Sequence, residues 1–218
     1  MTEIVAEISG NHGGSLDNAL RLIKAAAEAG ADTVKFQCFD PIRLAERRSH
    51  NPEVLVLAGG IPLVTLYART HTPAHWFSKL IEYAIRHGLK WFSSVFDPRD
   101  VDFLEMIDCP RYKISAFEML DWDIIKAVRE TGKPIVLSVR PTPGVTILQA
   151  TDYNGEMASL GLSAHRAVVL PATDAPMVEY HLKLEDVETP DSDFSLTQAQ
   201  MRAHIMRIRW NESETKRE

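Results

Sequence analysis

Glu179 and His181 stand two apart in the apolar run MVEYHLKL, residues 177–184. A strand directs residues two apart to one face, so a carboxylate and an imidazole would point together into a core. Similar groups recur wherever an apolar run ends. Glu7 closes VAE, with Asn11 and His12 just after it. Lys35 and Gln37 share one face of TVKFQCF, and Ser93, Ser94 and Asp97 end KWFSSVFD. Lys113, Ser115 and Glu118 mark RYKISAFE, Ser138 ends PIVLS, Asp152 and Tyr153 follow VTILQAT, and His165 ends GLSAH. A lone buried Ser or Gln is usually hydrogen-bonded filler, and an isolated His is usually structural or superficial; His50, His71, His75, His87 and His204 fall in that class. Lys35 differs, because a lysine in so apolar a run needs a paired charge. One charged or metal-competent group per strand end marks a site rather than packing.

The elements that must position these groups alternate in one direction. IVAEIS (4–9) reads as a strand; Ser15 caps a helix whose Leu16, Ala19, Leu20, Ile23, Ala26 and Ala27 repeat at helical spacing until Gly30. TVKFQCF is the second strand, and a long segment from Asp40 to Thr72 follows. TPAHWFSKLIEYAIRHG is read as a helix with Thr72 as cap and Pro73 in its first turn. KWFSSVF, DPRDVDFLEMI, RYKISAF, DWDIIKAVRETG and PIVLSV continue the strand-helix rhythm to a fifth strand. Three more strands are expected at 145–151, 158–165 and 175–184, then a final helix, LTQAQMRAHIMRIRW.

Eight strands of this kind predict an α/β fold, a TIM-type (β/α)8 barrel spanning residues 1–210, with 211–218 as a frayed polar tail. Such barrels usually need roughly 250 residues. The shortfall is local: about six residues join strands five and six, and again six and seven, where a crossover helix needs ~10 to 12. The barrel is therefore expected to be reduced, with helices five and six missing and apolar wall left for a partner to cover. Chemistry in such barrels sits at the C-terminal rim, where the polar residues cluster.

The chain has 218 residues, 45% apolar and 25% charged, enough for one large core. A net charge of −6 gives no general attraction to nucleic acid or an anionic membrane. No run is apolar enough for a membrane span and the N-terminus carries no signal pattern, so a cytoplasmic location is expected. Cys38 and Cys109 lack knuckle or redox spacing and read as ordinary thiols.

Long stretches also resemble a family. AEISGNHGGSLDNALRLIKAAAEAGADTVKFQ, HTPAHWF, FSSVFDPRDVDFLE, CPRYKISAFEMLDWDIIKAVRETGKPIVLS, GLSAH, VEYHLKL and PDSDFSL are similar, in order, to the sialic acid synthases and their pseudaminic and legionaminic acid relatives. The resemblance covers about Ile4 to Arg209, and the HTP-x-x-WF segment is closer to the pseudaminic and legionaminic branch. It implies condensation of phosphoenolpyruvate with an open-chain N-acetylated aminosugar, giving a nine-carbon 2-keto acid and phosphate with C–O cleavage. It implies a homodimer and a divalent metal, manganese first, with magnesium or cobalt as alternatives, held by His165 and His181. Glu7 and Glu179 take the catalytic acid positions. Lys35, Gln37, Ser94, Lys113, Ser115, Ser138 and Tyr153 take substrate-binding positions.

The family pattern is broken at several points. KIxS is here Lys113-Ile114-Ser115-Ala116, which moves the hydroxyl to a residue facing the other way. The STGM turn is Ser138-Val139-Arg140-Pro141, and the new Arg140 either fills the phosphate pocket or supplies a fork for it. SDH is Ser163-Ala164-His165, and an expected Asn is Thr151. The chain is also expected to lack the small antifreeze-like domain that follows the barrel in typical members. Two rival readings stay open: a non-catalytic descendant that binds a sugar or phosphate ligand, and a different barrel aldolase using Lys35 covalently.

Overall fold

The computed structural model describes residues 1–137 and 177–215. β1 (Glu3–Glu7) leads to α1 (Leu16–Ala29), which Ser15 caps by accepting from the Asn18 N–H and which Gly30 closes in the left-handed conformation. β2 (Thr33–Cys38) is followed by α2 (Pro41–Arg48), α3 (Pro52–Leu57) and α4 (Leu63–Thr70), then α5 (Phe77–Arg86) and β3 (Lys90–Val95). α6 (Pro98–Met106), β4 (Tyr112–Ile114), α7 (Trp122–Glu130) and β5 (Ile135–Leu137) complete the first stretch. β6 (Met177–His181) and α8 (Gln198–Thr215) form the second.

The six described strands make one parallel sheet in the order β5-β4-β3-β2-β1-β6. This is a parallel α/β half-barrel. Its edges, β5 and β6, flank residues 138–176; the expected sixth and seventh strands, with Ser138, Tyr153 and His165, lie outside the described residues.

Alternation decides which side chains meet. One face of the sheet packs on helices: Phe36 meets Phe77 of α5 edge-to-face at 5.8 Å, and Tyr180 meets His204 of α8 at 5.4 Å. The opposite face carries Glu7, Lys35, Lys113 and Glu179. Below them, at the N-terminal end, Arg111 lies 4.1 Å from the Phe92 ring centroid and pairs with Glu3 at 2.6 Å, so an ordered layer closes the floor.

The segment after β2 is a lobe of three short helices with its own apolar cluster, including Phe39, Leu44, Val54, Leu63, Tyr67 and Phe96. Arg43 and Arg47 of α2 tie it to Asp97, Asp100 and Asp121. Asp97 and Asp121 already cap α6 and α7, accepting from the Arg99 and Ile124 N–H groups, so the lobe is anchored on helix N-termini.

Three expectations are corrected. The first strand stops at Glu7, because Ser9 turns the chain with φ 41° and donates its N–H to Glu7 Oε1 at 2.6 Å. Thr72 does not cap α5: a 3-10 turn, Ala74–Trp76, precedes that helix, and Thr72 Oγ1 lies 3.5 Å from His12 Nε2. The polar tail does not begin at residue 211, since α8 continues through Thr215, with Glu212 accepting from the Thr2 N–H.

Candidate active site

Four strands bring four buried charges together. Lys35 Nζ is in ion-pair contact with Glu7 Oε2 and lies 2.9 Å from Glu179 Oε1, while Lys113 Nζ lies 3.0 Å from Glu179 Oε2. None of these side chains is more than 2% exposed. The parallel register explains the meeting: Glu7 is opposite Lys35 on β2 and opposite His181 on β6. Two ammonium and two carboxylate groups compensate each other where an isolated charge would be prohibitive.

The chain of charges is uneven. Burial pushes the Glu7 carboxyl up to about 7 against the pull of the Lys35 ammonium, with the Glu179 carboxylate adding to the rise. Burial pushes Lys113 down to about 8, although the Glu179 carboxylate holds it back. Burial also works against the Lys35 charge, but Glu179 and Glu7 outweigh it and leave that ammonium above its ordinary value. Lys35 is thus a fixed cation, while Glu7 sits where a carboxyl can take or give a proton near neutrality.

Above this group opens a cavity of about 360 Å³ at the C-terminal ends of the strands. Glu7, Lys35, Gln37, Ser94 and His181 line its strand side. Gln37 Nε2 donates to Ser9 Oγ at 2.7 Å, and Ser9 Oγ donates to Asp191 Oδ2 at 2.5 Å, linking the second strand to the PDSDF turn. His181 packs edge-to-face on Phe194, with ring centroids 4.9 Å apart.

The expected site residues divide clearly. Glu7, Lys35, Gln37, Ser94, Ser115 and His181 line the cavity, whereas Lys113 and Glu179 lie behind it in the buried charge group. Ser115 reaches the cavity, but its hydroxyl donates to Glu118 Oε2. Of the other strand-end groups, Asn11 donates to the Leu182 carbonyl at 2.8 Å and His12 packs on Trp76 at 5.4 Å, so both are structural. Burial, with nearby His71, pushes the His12 imidazole down to about 4, keeping it neutral.

The sequence reading missed Arg48, at the end of α2. Its Nε donates to Glu118 Oε1 at 2.8 Å, and it lines the same cavity. The run PIRLAERR looks like a solvated helix end, and Leu44 is its one buried residue.

A divalent metal fits this rim in part. His181 lines the cavity beside Glu7, and an imidazole with oxygen donors suits manganese with water completing the shell. Among the described residues there is no group of three or more His, Cys, Asp or Glu able to hold a metal ion. A set of three protein ligands would need a residue from outside them, where His165 lies. No helix among the described residues is long and apolar enough to cross a membrane.

The chain matches the NeuB family over residues 22–154. The pseudaminic acid synthase of Campylobacter jejuni is 31% identical to it, over 96% of this chain and 74% of that protein. That match spans 254 residues against 218 in this chain, so the relative carries segments that are shorter or missing here. Among solved structures, the spore coat polysaccharide biosynthesis protein SpsE of Bacillus subtilis superposes with a TM-score of 0.75 at 24% identity, covering 99% of this chain and 69% of that one. The N-acetylneuraminic acid synthetase of Leptospira borgpetersenii gives a TM-score of 0.78 at 18% identity, covering 98% of this chain and 85% of that one. With 133 of its 218 residues inside the family match and a 31% identical relative covered over most of its length, this chain belongs to the NeuB family.

Proposed function

We propose that this protein condenses phosphoenolpyruvate with an open-chain N-acetylated aminosugar, giving a nonulosonic acid and inorganic phosphate. The observation that carries the reading is the buried Glu7-Lys35-Glu179-Lys113 group beneath a rim cavity, in a member of a family whose relatives include a pseudaminic acid synthase. The enol methylene forms the new C–C bond to the aldehyde carbon, whose oxygen takes a proton. Water then adds to the former enol carbon and gives up a proton, and the bond from that carbon to the bridging oxygen breaks, so that phosphate leaves with that oxygen and the carbon becomes the 2-keto carbonyl as its hydroxyl loses the remaining proton. In this chain Lys35, Gln37 and Ser94 would bind the anionic donor. Glu7, with its carboxyl near 7, would supply the proton to the new alkoxide. Glu179 and Lys113 would hold Lys35 in place and exclude water beneath it.

A divalent ion held by His181 and His165 would polarise the sugar aldehyde as a Lewis acid. The expected assay outcome is phosphate release from phosphoenolpyruvate that requires both manganese and an aminosugar. His181→Ala should abolish it while circular dichroism stays unchanged. No release with any sugar in a broad panel would remove the catalytic reading.

One observation favours the rival, a binding protein without turnover. Ala116 supplies no hydroxyl, and the neighbouring Ser115 hydroxyl is engaged by Glu118 rather than left for a phosphate. Sugar binding without phosphate release under every metal condition is the outcome expected of that rival.

A further inference from the structure

The cavity has a second wall that the donor reading does not use. Arg48 sits on it with its Cζ 5.1, 5.2 and 5.8 Å from the ring centroids of Phe117, Phe96 and Tyr67. Glu118 Oε1 accepts from Nε at 2.8 Å and Nη2 at 2.5 Å, which fixes the plane of the guanidinium. Nη1 has a long contact of 3.4 Å with the Tyr67 hydroxyl. A guanidinium carries five N–H donors in a rigid fork, and these partners do not use all of them. Phe39, Leu44 and Leu66 line the cavity beside it.

This pairing of a fixed donor edge with an apolar wall suits one kind of group. A carboxylate or phosphate would be desolvated against the rings and would meet a guanidinium already neutralised by Glu118. A hydroxyl would leave the apolar wall unmatched. An amide of a short acid fits both parts, because its carbonyl oxygen accepts and its methyl is apolar.

We propose that the Arg48 wall is the subsite for an acylamido substituent of the acceptor: the carbonyl oxygen accepts from the Arg48 guanidinium and the methyl lies against Phe39, Leu44 and Leu66. The inference rests on the reading that the acceptor is an N-acylated aminosugar, and it makes Arg48 a specificity-determining residue of the α2 lobe.

Saturation-transfer NMR on the whole chain tests it, with N-acetylmannosamine and N-acetylglucosamine as probes and mannose and glucose as acyl-free controls. The acetyl methyl of at least one probe should receive the strongest saturation, and that probe should bind at least about tenfold more tightly than its parent hexose. Arg48→Lys, which keeps the charge and loses the fork, should reduce the preference about tenfold. Leu66→Phe, which fills the methyl space without touching Glu118, should abolish it, and melting curves check that both variants fold. Equal binding of acetylated and parent sugars by the wild type, or an unchanged preference in both variants, overturns the subsite. The two readings fail separately. Acyl preference without phosphate release sinks the catalytic reading and leaves the subsite. Phosphate release that is as fast with acyl-free sugars sinks the subsite and leaves the condensation.

Discussion

Lys35 bridges two carboxylates that come from strands on the same side of it in the sheet order, β1 and β6, and its environment is dry. Removing a partner from a buried pair strands the remaining charge, so Lys35→Met should destabilise the fold by ~3 to 5 kcal/mol in urea unfolding. Adding Glu7→Gln alone to the same chain should recover much of that loss, because Glu179 keeps Lys113 as its partner and the Glu7 carboxylate is the charge left stranded. A single variant as stable as the wild type would show that these charges are not held as the geometry has them. At this scale the sequence was readable where chemistry is anomalous. A lysine in TVKFQCF and a glutamate in MVEYHL are rare in apolar strands, so each announced a partner. Which partners they chose was not readable, since strand alternation gives a face and not a neighbour. Arg48 was hidden for the opposite reason: an arginine at a helix end is ordinary, and only the fold puts Phe96, Phe117 and Glu118 around it.

The helices that flank the sheet were legible from their periodicity, and α1 also from its caps Ser15 and Gly30, whereas the expected Thr72 cap of α5 was wrong. The lobe after β2 was not, because α2, α3 and α4 have 8, 6 and 8 residues, too few turns for an apolar stripe to declare itself. Their stability comes from the shared cluster around Tyr67 and from the acids that receive Arg43 and Arg47. Asp100 is the most deeply buried member of that set. Its Oδ2 accepts from the Phe96 N–H at 3.0 Å and its Oδ1 from Arg43 at 3.1 Å. Burial nevertheless pushes its carboxyl up to about 6, with Asp97 adding to the rise. A raised folded-state value means that the folded chain keeps a proton which the unfolded chain has already lost between about pH 4 and 6. Stability from this group therefore falls as pH rises through that window and levels off above it, by on the order of 2 to 3 kcal/mol in total. Asp100→Asn has no such titration and keeps an acceptor for the Phe96 N–H. Its stability should lose this component of the slope between pH 4.5 and 6.5 in urea unfolding, and parallel profiles for variant and wild type would refute the assignment.

Across the whole molecule, the alternation of strands and helices predicted a parallel barrel, and the described half bears that class out as a parallel α/β half-barrel. The final helix was found but cut short, because NESET carries no apolar repeat to extend it. What extends it is tertiary. Arg209 donates to the Thr2 carbonyl at 2.7 Å and to Asp32 Oδ2 at 2.6 Å, while that same Asp32 oxygen accepts from the Ile4 N–H at 2.8 Å. Glu212 accepts from the Thr2 N–H and pairs with Arg209 at 3.2 Å. The first strand, the loop before the second and the last helix are thus clasped at the N-terminal end, opposite the cavity. Each hydrogen bond to a charged group in such a clasp contributes about 1.5 to 3 kcal/mol at most, less where water reaches it. Glu212→Ala should therefore lower the melting temperature by roughly 2 to 6 °C, and Glu212→Gln, whose carbonyl still accepts from Thr2, by less. Arg209→Ala and Glu212→Ala combined should lose less than the sum of the two single losses, because each single change already breaks the contact between them. A frayed tail would instead leave the melting temperature of Glu212→Ala unchanged and the two effects additive.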